Sequence, residues 1–244
     1  MSSSTPSPRP EPAPLPAMAT ARVVAGMLVY VGLFAVLLLV PAGRLDWGRA
    51  WVLLAVLLVM RAVGTAGAIR VNPELLAERS RLPLHRGQPL ADRVLLLSFM
   101  ASFAALVAFC PLDVFHLRLL PRPPAAVSFA GIVLFAAGWW IIALVLRTNA
   151  FAVRVVRHQQ ERRHTLVDTG VYAVVRHPMY AGIIPVLVGM CLWLGSYAGA
   201  LLVVVPVAIL AVRIVLEERF LRQALPGYDA YTARVRWRLV PHLW

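Results

Sequence analysis

Two short stretches of this 244-residue chain gather most of the side chains that could do chemistry. The first runs His164-Thr-Leu-Val-Asp-Thr-Gly-Val-Tyr172-Ala-Val-Val-Arg176-His177-Pro178-Met179-Tyr180-Ala-Gly182. It sets two histidines, two tyrosines and an arginine against the start of an apolar segment. Proline is tolerated in the first turn of a helix, where backbone N–H groups lack carbonyl partners. The neighbourhood of Pro178 therefore suits an anion such as a carboxylate. The second stretch is Arg213-Ile-Val-Leu-Glu217-Glu218-Arg219. On a helix Arg213 and Glu217 lie one turn apart and share a face, within reach of a common ligand, whereas Glu218 points about 100° away. Ionisable groups so close to hydrocarbon are costly and are functional candidates by default. Each stretch also has a plainer account: Arg, His and Tyr anchor many helices at headgroup level, and Arg213 with Glu217 makes an ordinary helix-end salt bridge.

Arg61 lies inside an apolar segment, where it either pairs with a buried carboxylate or helix carbonyl, or contacts an anionic substrate. Asp46 and Trp47 read as a helix cap and an interfacial anchor. Trp139 and Trp140 suit packing between helices, and Cys110 and Cys191 read as core filler, with no paired spacing for a metal or a disulfide framework.

The elements that must position these groups are membrane helices. Of the chain, 60% is hydrophobic and only 14% charged, far from the balance of a soluble domain. A spanning helix needs about 20 mainly apolar residues, because an unpaired backbone polar group in lipid costs several kcal/mol. Residues 23–40, 50–69, 94–112 and 125–146 each meet that demand. The stretch 179–216 is too long for one span, and Gly195-Ser196-Tyr197-Ala198-Gly199 interrupts it, which predicts two helices joined by a tight turn. The expected fold is all-α: a polytopic bundle of about six transmembrane helices ending in a helical hairpin.

Arginine distribution orients the bundle. Arginines crowd residues 70–93, 147–176 and 219–238, while the links after the first and third helices are sparse and the Gly195 turn has none. With six spans the rich segments share one face, which the positive-inside rule assigns to the cytoplasm together with both termini. Residues 1–20 read as a disordered Ser/Pro-rich tail without the features of a secretory signal. They precede a single membrane domain, residues 21–244, of which 21–147 hold four helices and 148–244 the chemistry. A run from Phe151 alternates loosely, as an extended segment would.

The net charge of +13 rests on arginine alone, since the chain has no lysine. That usage points to genome composition and a bacterial plasma membrane. The arginines sit in loops rather than forming a basic stripe with aromatics, so lipid headgroups are the expected partner and nucleic acid is not. Phosphate-cradling glycine loops, zinc-hydrolase helices and nucleophile elbows are missing from the sequence, and no metal or obligate protein partner is expected.

The ordered series His164-Thr-Leu-Val, Gly170-Val-Tyr172, Arg176-His-Pro-x-Tyr180-x-Gly182, Arg213-x-x-x-Glu217-Glu218 and Gly227-Tyr228-x-x-Tyr231 resembles the isoprenylcysteine carboxyl methyltransferase family and its prokaryotic relatives. The resemblance implies methyl transfer from S-adenosylmethionine, leaving S-adenosylhomocysteine. It implies a cytoplasmic cofactor pocket formed by Gln159, His164, Thr165, Leu166, Val167, Tyr172, His177, Pro178, Met179, Tyr180 and Glu217. Arg213 would face an acceptor carboxylate, and Arg213 and Glu217 would form the catalytic pair; Arg61, from its place in an apolar span alone, is a further candidate substrate contact. The acceptor it implies is lipophilic and reaches the site from the membrane. The ending Arg236-Trp-Arg-Leu-Val-Pro241 departs from the eukaryotic pattern and leaves a phospholipid amine or a small thiol as alternative acceptors. From the residues alone, a non-enzymatic transporter or assembly factor is the competing class.

Overall fold

A computed structural model describes residues 17–71, 89–149 and 166–244, without the side chains of 17–20, 22 and 68–71. Six apolar helical segments appear in chain order: α1 (Ala17–Ala42), α2 (Gly48–Val71), α3 (Leu90–Leu112), α4 (Ala125–Thr148), α5 (Pro178–Leu194), and a final segment made of α6 (Tyr197–Leu202) and α7 (Val204–Ala224). A short helix, α8 (Tyr228–Arg234), follows. Among the described residues five segments are long and apolar enough to cross a membrane, and α5, with 17 residues, is shorter. At 1.5 Å per residue α5 reaches only about 25 Å, near the lower limit for a span.

Local sequence explains the boundaries. Proline excludes the α conformation from the residue before it, so α5 starts at Pro178 and His177 (φ −122°) stays outside. The helix stops at Gly195, whose φ of +98° is a left-handed conformation that glycine adopts without a Cβ clash. Ser196 then caps α6 by accepting from the Gly199 N–H at 2.7 Å. The predicted hairpin is therefore present. Pro206 cannot donate to the carbonyl of Leu202, and the helix breaks there into α6 and α7. α1 begins at Ala17, inside the stretch read as a tail, whose remaining residues lie outside the described ones, as does the run from Phe151.

Only 17 to 33% of each span's most apolar window is buried inside the protein, yet the outward faces carry Val29, Val40, Phe129 and Leu201. Helices apolar all round need lipid on the outside. Because lipid is as apolar as leucine, packing rather than water exclusion must hold the helices together. The tightest pairing is α4 against α5. Gly131 faces Gly189 and Gly138 faces Gly182 in an antiparallel register. A Cβ on Gly189 would sit 2.5 Å from the Gly131 carbonyl oxygen, and one on Gly138 would sit 2.6 Å from that of Gly182. The two backbones touch at these pairs, and the contact brings the start of α5 beside the end of α4. A core of Leu38, Leu53, Leu57, Val107, Phe135, Leu187, Met190 and Leu194 fills the space between α1, α2, α3, α4 and α5.

The opposite end of the bundle is closed by polar contacts. Asp113, buried in a π-turn that continues α3, accepts from the Leu119 N–H at 2.9 Å and from Ser196 Oγ at 2.6 Å. The Asp46 carboxylate accepts from Arg44 Nε at 2.7 Å, which draws it below the usual carboxylate range. Trp47 is buried edge-on against Phe115. The Cys110 and Cys191 thiols, far apart in sequence, meet in the core at 3.5 Å.

Candidate active site

The start of α5 and the last turns of α7 bring together four of the residues singled out by sequence. The His177 ring stacks on Tyr180 with centroids 5.7 Å apart and planes 8° from parallel. The Tyr180 hydroxyl donates to Glu217 Oε2 at 2.8 Å. One turn before Glu217, the Arg213 guanidinium lies 6.0 Å from the centre of the Tyr180 ring. The shared face of Arg213 and Glu217 is thus real, and α5 supplies the aromatic groups that complete it. Tyr180 and Glu217 are half-buried, so they stay accessible to a ligand, whereas His177 and Arg213 are buried.

Arg213 also meets a residue that the motifs did not indicate. Its Nε donates to Asp92 Oδ1 at 3.0 Å, and Asp92 lies in the first turn of α3. The only sequence signal was an acidic residue at the entrance of an apolar span.

Glu218, turned away from Glu217 as helix geometry requires, is the centre of a second cluster. Its Oε1 accepts from Arg176 Nε at 2.7 Å and lies 3.2 Å from His177 Nε2, and its Oε2 accepts from Arg238 Nε at 3.1 Å. Beside a carboxylate, Nε2 of His177 is the protonated nitrogen. Arg176 Nη1 donates to the carbonyls of Val235 and Arg236 at 2.8 and 2.7 Å. The backbone N–H groups of Arg176 and His177 donate to the carbonyls of Trp237 and Arg238, both at 2.9 Å. The segment after α8 is therefore tied along the entrance to α5, and Glu218 fixes that strap and the His177 ring at once. Arg176 was visible beside His177 in the sequence. Nothing in the spacing pointed to Arg238.

The other candidates fall in two groups. Tyr172, in the 3-10 turn Gly170–Ala173, accepts on its hydroxyl from Asn149 Nδ2 at 2.9 Å and on its carbonyl from the Tyr231 hydroxyl at 2.8 Å. Tyr172 and Met179 pack around Val145 of α4, and Leu166 packs against Leu225, Tyr228, Tyr231 and Val235. Burial pushes the hydroxyls of Tyr228 and Tyr231 above their ordinary range, which keeps Tyr231 a donor to Tyr172. Val167 follows Leu166 and is half-buried, and Pro178 is buried at the first position of α5. Gln159, His164 and Thr165 lie outside the described residues. Arg61 has its guanidinium over the rings of Tyr30 and Trp139, at 4.6 and 5.8 Å from their centres. Those contacts place it between α1 and α4, among aromatic groups. Trp139 packs as expected, while Trp140 is half exposed to lipid.

A cavity of about 400 Å³ opens at the other end of the bundle, lined by Asp113, Arg118, Leu119, Arg122 and Gly195, and none of the described sequence candidates lines it. Among the described residues no cluster of His, Cys, Asp or Glu could hold a metal ion.

Residues 126–226 match the family model for phospholipid methyltransferases, a family that includes the isoprenylcysteine carboxyl methyltransferases. The match takes in α4 through α7, and with them His177, Tyr180, Arg213 and Glu217, but it leaves out Asp92, Tyr231 and Arg238. No curated protein matches the chain. The resemblance drawn from the ordered motifs is borne out over that segment, and the activity that goes with it is that of a membrane methyltransferase.

Proposed function

We propose that the phospholipid methyltransferase segment of this chain transfers the methyl group of S-adenosylmethionine to a lipophilic acceptor at the α5–α7 end. The observation that carries this reading is the Tyr180–Glu217 hydrogen bond of 2.8 Å beside the stacked His177 ring. The donor set fits the ligand: Glu217 suits the cofactor's amino group, the His177–Tyr180 stack suits its ring or polar tail, and Leu166, Val167, Tyr172, Pro178 and Met179 add apolar and aromatic surface. Gln159, His164 and Thr165 belong to the same proposed set. When bound, the cofactor supplies an electrophilic methyl carbon: a nucleophile's lone pair forms the new bond, and the C–S pair passes to sulfur, leaving a neutral thioether. The chain's own task is alignment in a site that excludes water, where proximity contributes on the order of 7 to 11 kcal/mol. His177, fixed by Glu218, and Tyr180, fixed by Glu217, are held for that purpose.

The acceptor enters from the bilayer between helices, and the site faces the cytoplasm in keeping with the arginine-rich loops. A carboxylate acceptor, as the isoprenylcysteine resemblance implies, would be gripped by Arg213. A phospholipid amine or small thiol is the second reading, favoured by the Asp92 carboxylate already on Arg213. Titration calorimetry with S-adenosylhomocysteine tests the common part. Binding to the wild type and its loss in Glu217→Ala are expected; no binding to the wild type, or undiminished binding in the variant, overturns it.

A further inference from the structure

We infer that the cavity of about 400 Å³ between residues 113–122 and the Gly195 turn is a binding site for the phosphate headgroup of a net-anionic phospholipid. None of the described groups proposed for methyl transfer lines it, so the two sites stand or fall separately.

Charge around this cavity is lopsided. Arg118 and Arg122 line it, and at Gly195 a third guanidinium comes close, since a Cβ there would lie 3.1 Å from Arg49 Nη1. Asp113 is the carboxylate in the lining, and the fold already engages it: Oδ1 accepts from the Leu119 N–H and Oδ2 from the Ser196 hydroxyl, with the residue only 2% exposed. Arg44, which stands over the same Phe115 ring as Arg122, is matched by Asp46. Among the described residues neither Arg118 nor Arg122 has a carboxylate partner. Positive charge is therefore in excess where the cavity opens.

The two lining arginines differ in how they are held. Arg122 Nη2 donates to the Val114 carbonyl at 2.8 Å, and the guanidinium lies 6.0 Å from the centre of the Phe115 ring, which fixes its place and leaves its other N–H groups for a ligand. The Arg118 side chain makes no hydrogen bond or ion pair among the described residues and is exposed, so it closes on a ligand without breaking a contact of the fold. Phosphate oxygens accept from guanidinium N–H groups in parallel pairs, which gives such a site its geometry. Beside the arginines, Leu117, Leu119 and Leu120 are exposed. This loop joins α3 to α4, both long and apolar enough to cross a membrane, so it sits at a bilayer boundary. A phospholipid matches that surface, with its phosphate on the arginines and its acyl chains on the leucines. Free phosphate would leave the leucines uncovered. A zwitterionic headgroup would add a cation where guanidinium groups are already in excess, which favours a net-anionic one.

The experiment measures binding of labelled short-chain lipids to the full-length protein in uncharged detergent. Its probes are phosphatidylglycerol, phosphatidylcholine and diacylglycerol with the same acyl chains, and inorganic phosphate. Wild type should bind phosphatidylglycerol saturably, and more tightly than each of the other three by about threefold or more. The double variant Arg118→Gln/Arg122→Gln should lose about tenfold or more of the phosphatidylglycerol affinity and leave diacylglycerol binding unmoved. No saturable binding to wild type, or a loss of less than about threefold in the double variant, overturns the assignment. Inorganic phosphate that binds as tightly as phosphatidylglycerol overturns the lipid in favour of a free anion, and equal binding of phosphatidylcholine overturns the preference for net negative charge. Since Arg122 also holds the Val114 carbonyl, a double variant that fails to fold is replaced by Arg118→Gln alone, whose side chain supports nothing in the fold. There a loss of about threefold or more is expected, and unchanged affinity is incompatible with the site.

Discussion

Glu217 and Glu218 are neighbours in the chain and differ in everything else. Glu217 is half-buried and shares its carboxylate with one hydroxyl, so it retains capacity for a ligand. Glu218 is buried and bridges three cationic or ring nitrogens, which leaves it a structural tie. The two should separate cleanly under mutation. Glu218→Gln keeps the shape but removes the charge from beneath Arg176 and Arg238, and breaking one partner of a buried pair costs about 3 to 5 kcal/mol. A lowered Tm in detergent is expected, well below that of Glu217→Gln; equal melting of the two variants would contradict the division of roles. Tyr180→Phe removes one hydrogen bond to a charged acceptor, worth about 1.5 to 3 kcal/mol. S-adenosylhomocysteine affinity should fall by about tenfold or more, and the Tm should fall by less than in Glu218→Gln.

Among the elements, the α4–α5 pair decides whether the site exists. Gly131, Gly138, Gly182 and Gly189 sit seven residues apart on each helix, so each pair returns to nearly the same face after two turns. Where backbones touch there is no flexible side chain to yield. Gly189→Ala should therefore destabilise by about 1 to 3 kcal/mol, and Gly138→Leu by more, with loss of cofactor binding because α5 carries His177 and Tyr180 away from α7. Gly26→Ala, in α1, has open space around it and serves as the control. Thermal unfolding of the three variants, followed alongside S-adenosylhomocysteine binding, checks both effects.

At the scale of the whole molecule, the ends of the bundle differ in charge and in contents. Among the described residues, His177, Tyr180, Arg213 and Glu217 belong to the α5–α7 end, whereas Asp113, Ser196 and the far cavity belong to the other. Since Cys110 and Cys191 are buried, single cysteines at Gly43 and Pro226 would report alone. A membrane-impermeant maleimide added to intact cells should label Gly43→Cys and not Pro226→Cys, and the reverse pattern would invert the assigned orientation.

Sequence by itself determined the membrane class, the six apolar segments and the break at Gly195, because length, hydropathy and turn chemistry are local quantities. It also determined the shared face of Arg213 and Glu217, since helical spacing fixes which neighbours coincide. The glycine register between α4 and α5 was present in the spacing, but only once the helices are paired does it show which backbones meet. Tertiary structure alone decided the rest. Asp92 reaches Arg213, Glu218 gathers Arg176, His177 and Arg238, and Arg61 settles between aromatic rings because helices distant in sequence are packed side by side. No local periodicity encodes which charge a buried charge will find. The candidate site is thus written in the α5 and α7 motifs, while the Asp92 carboxylate that meets Arg213 is one that folding brings from α3.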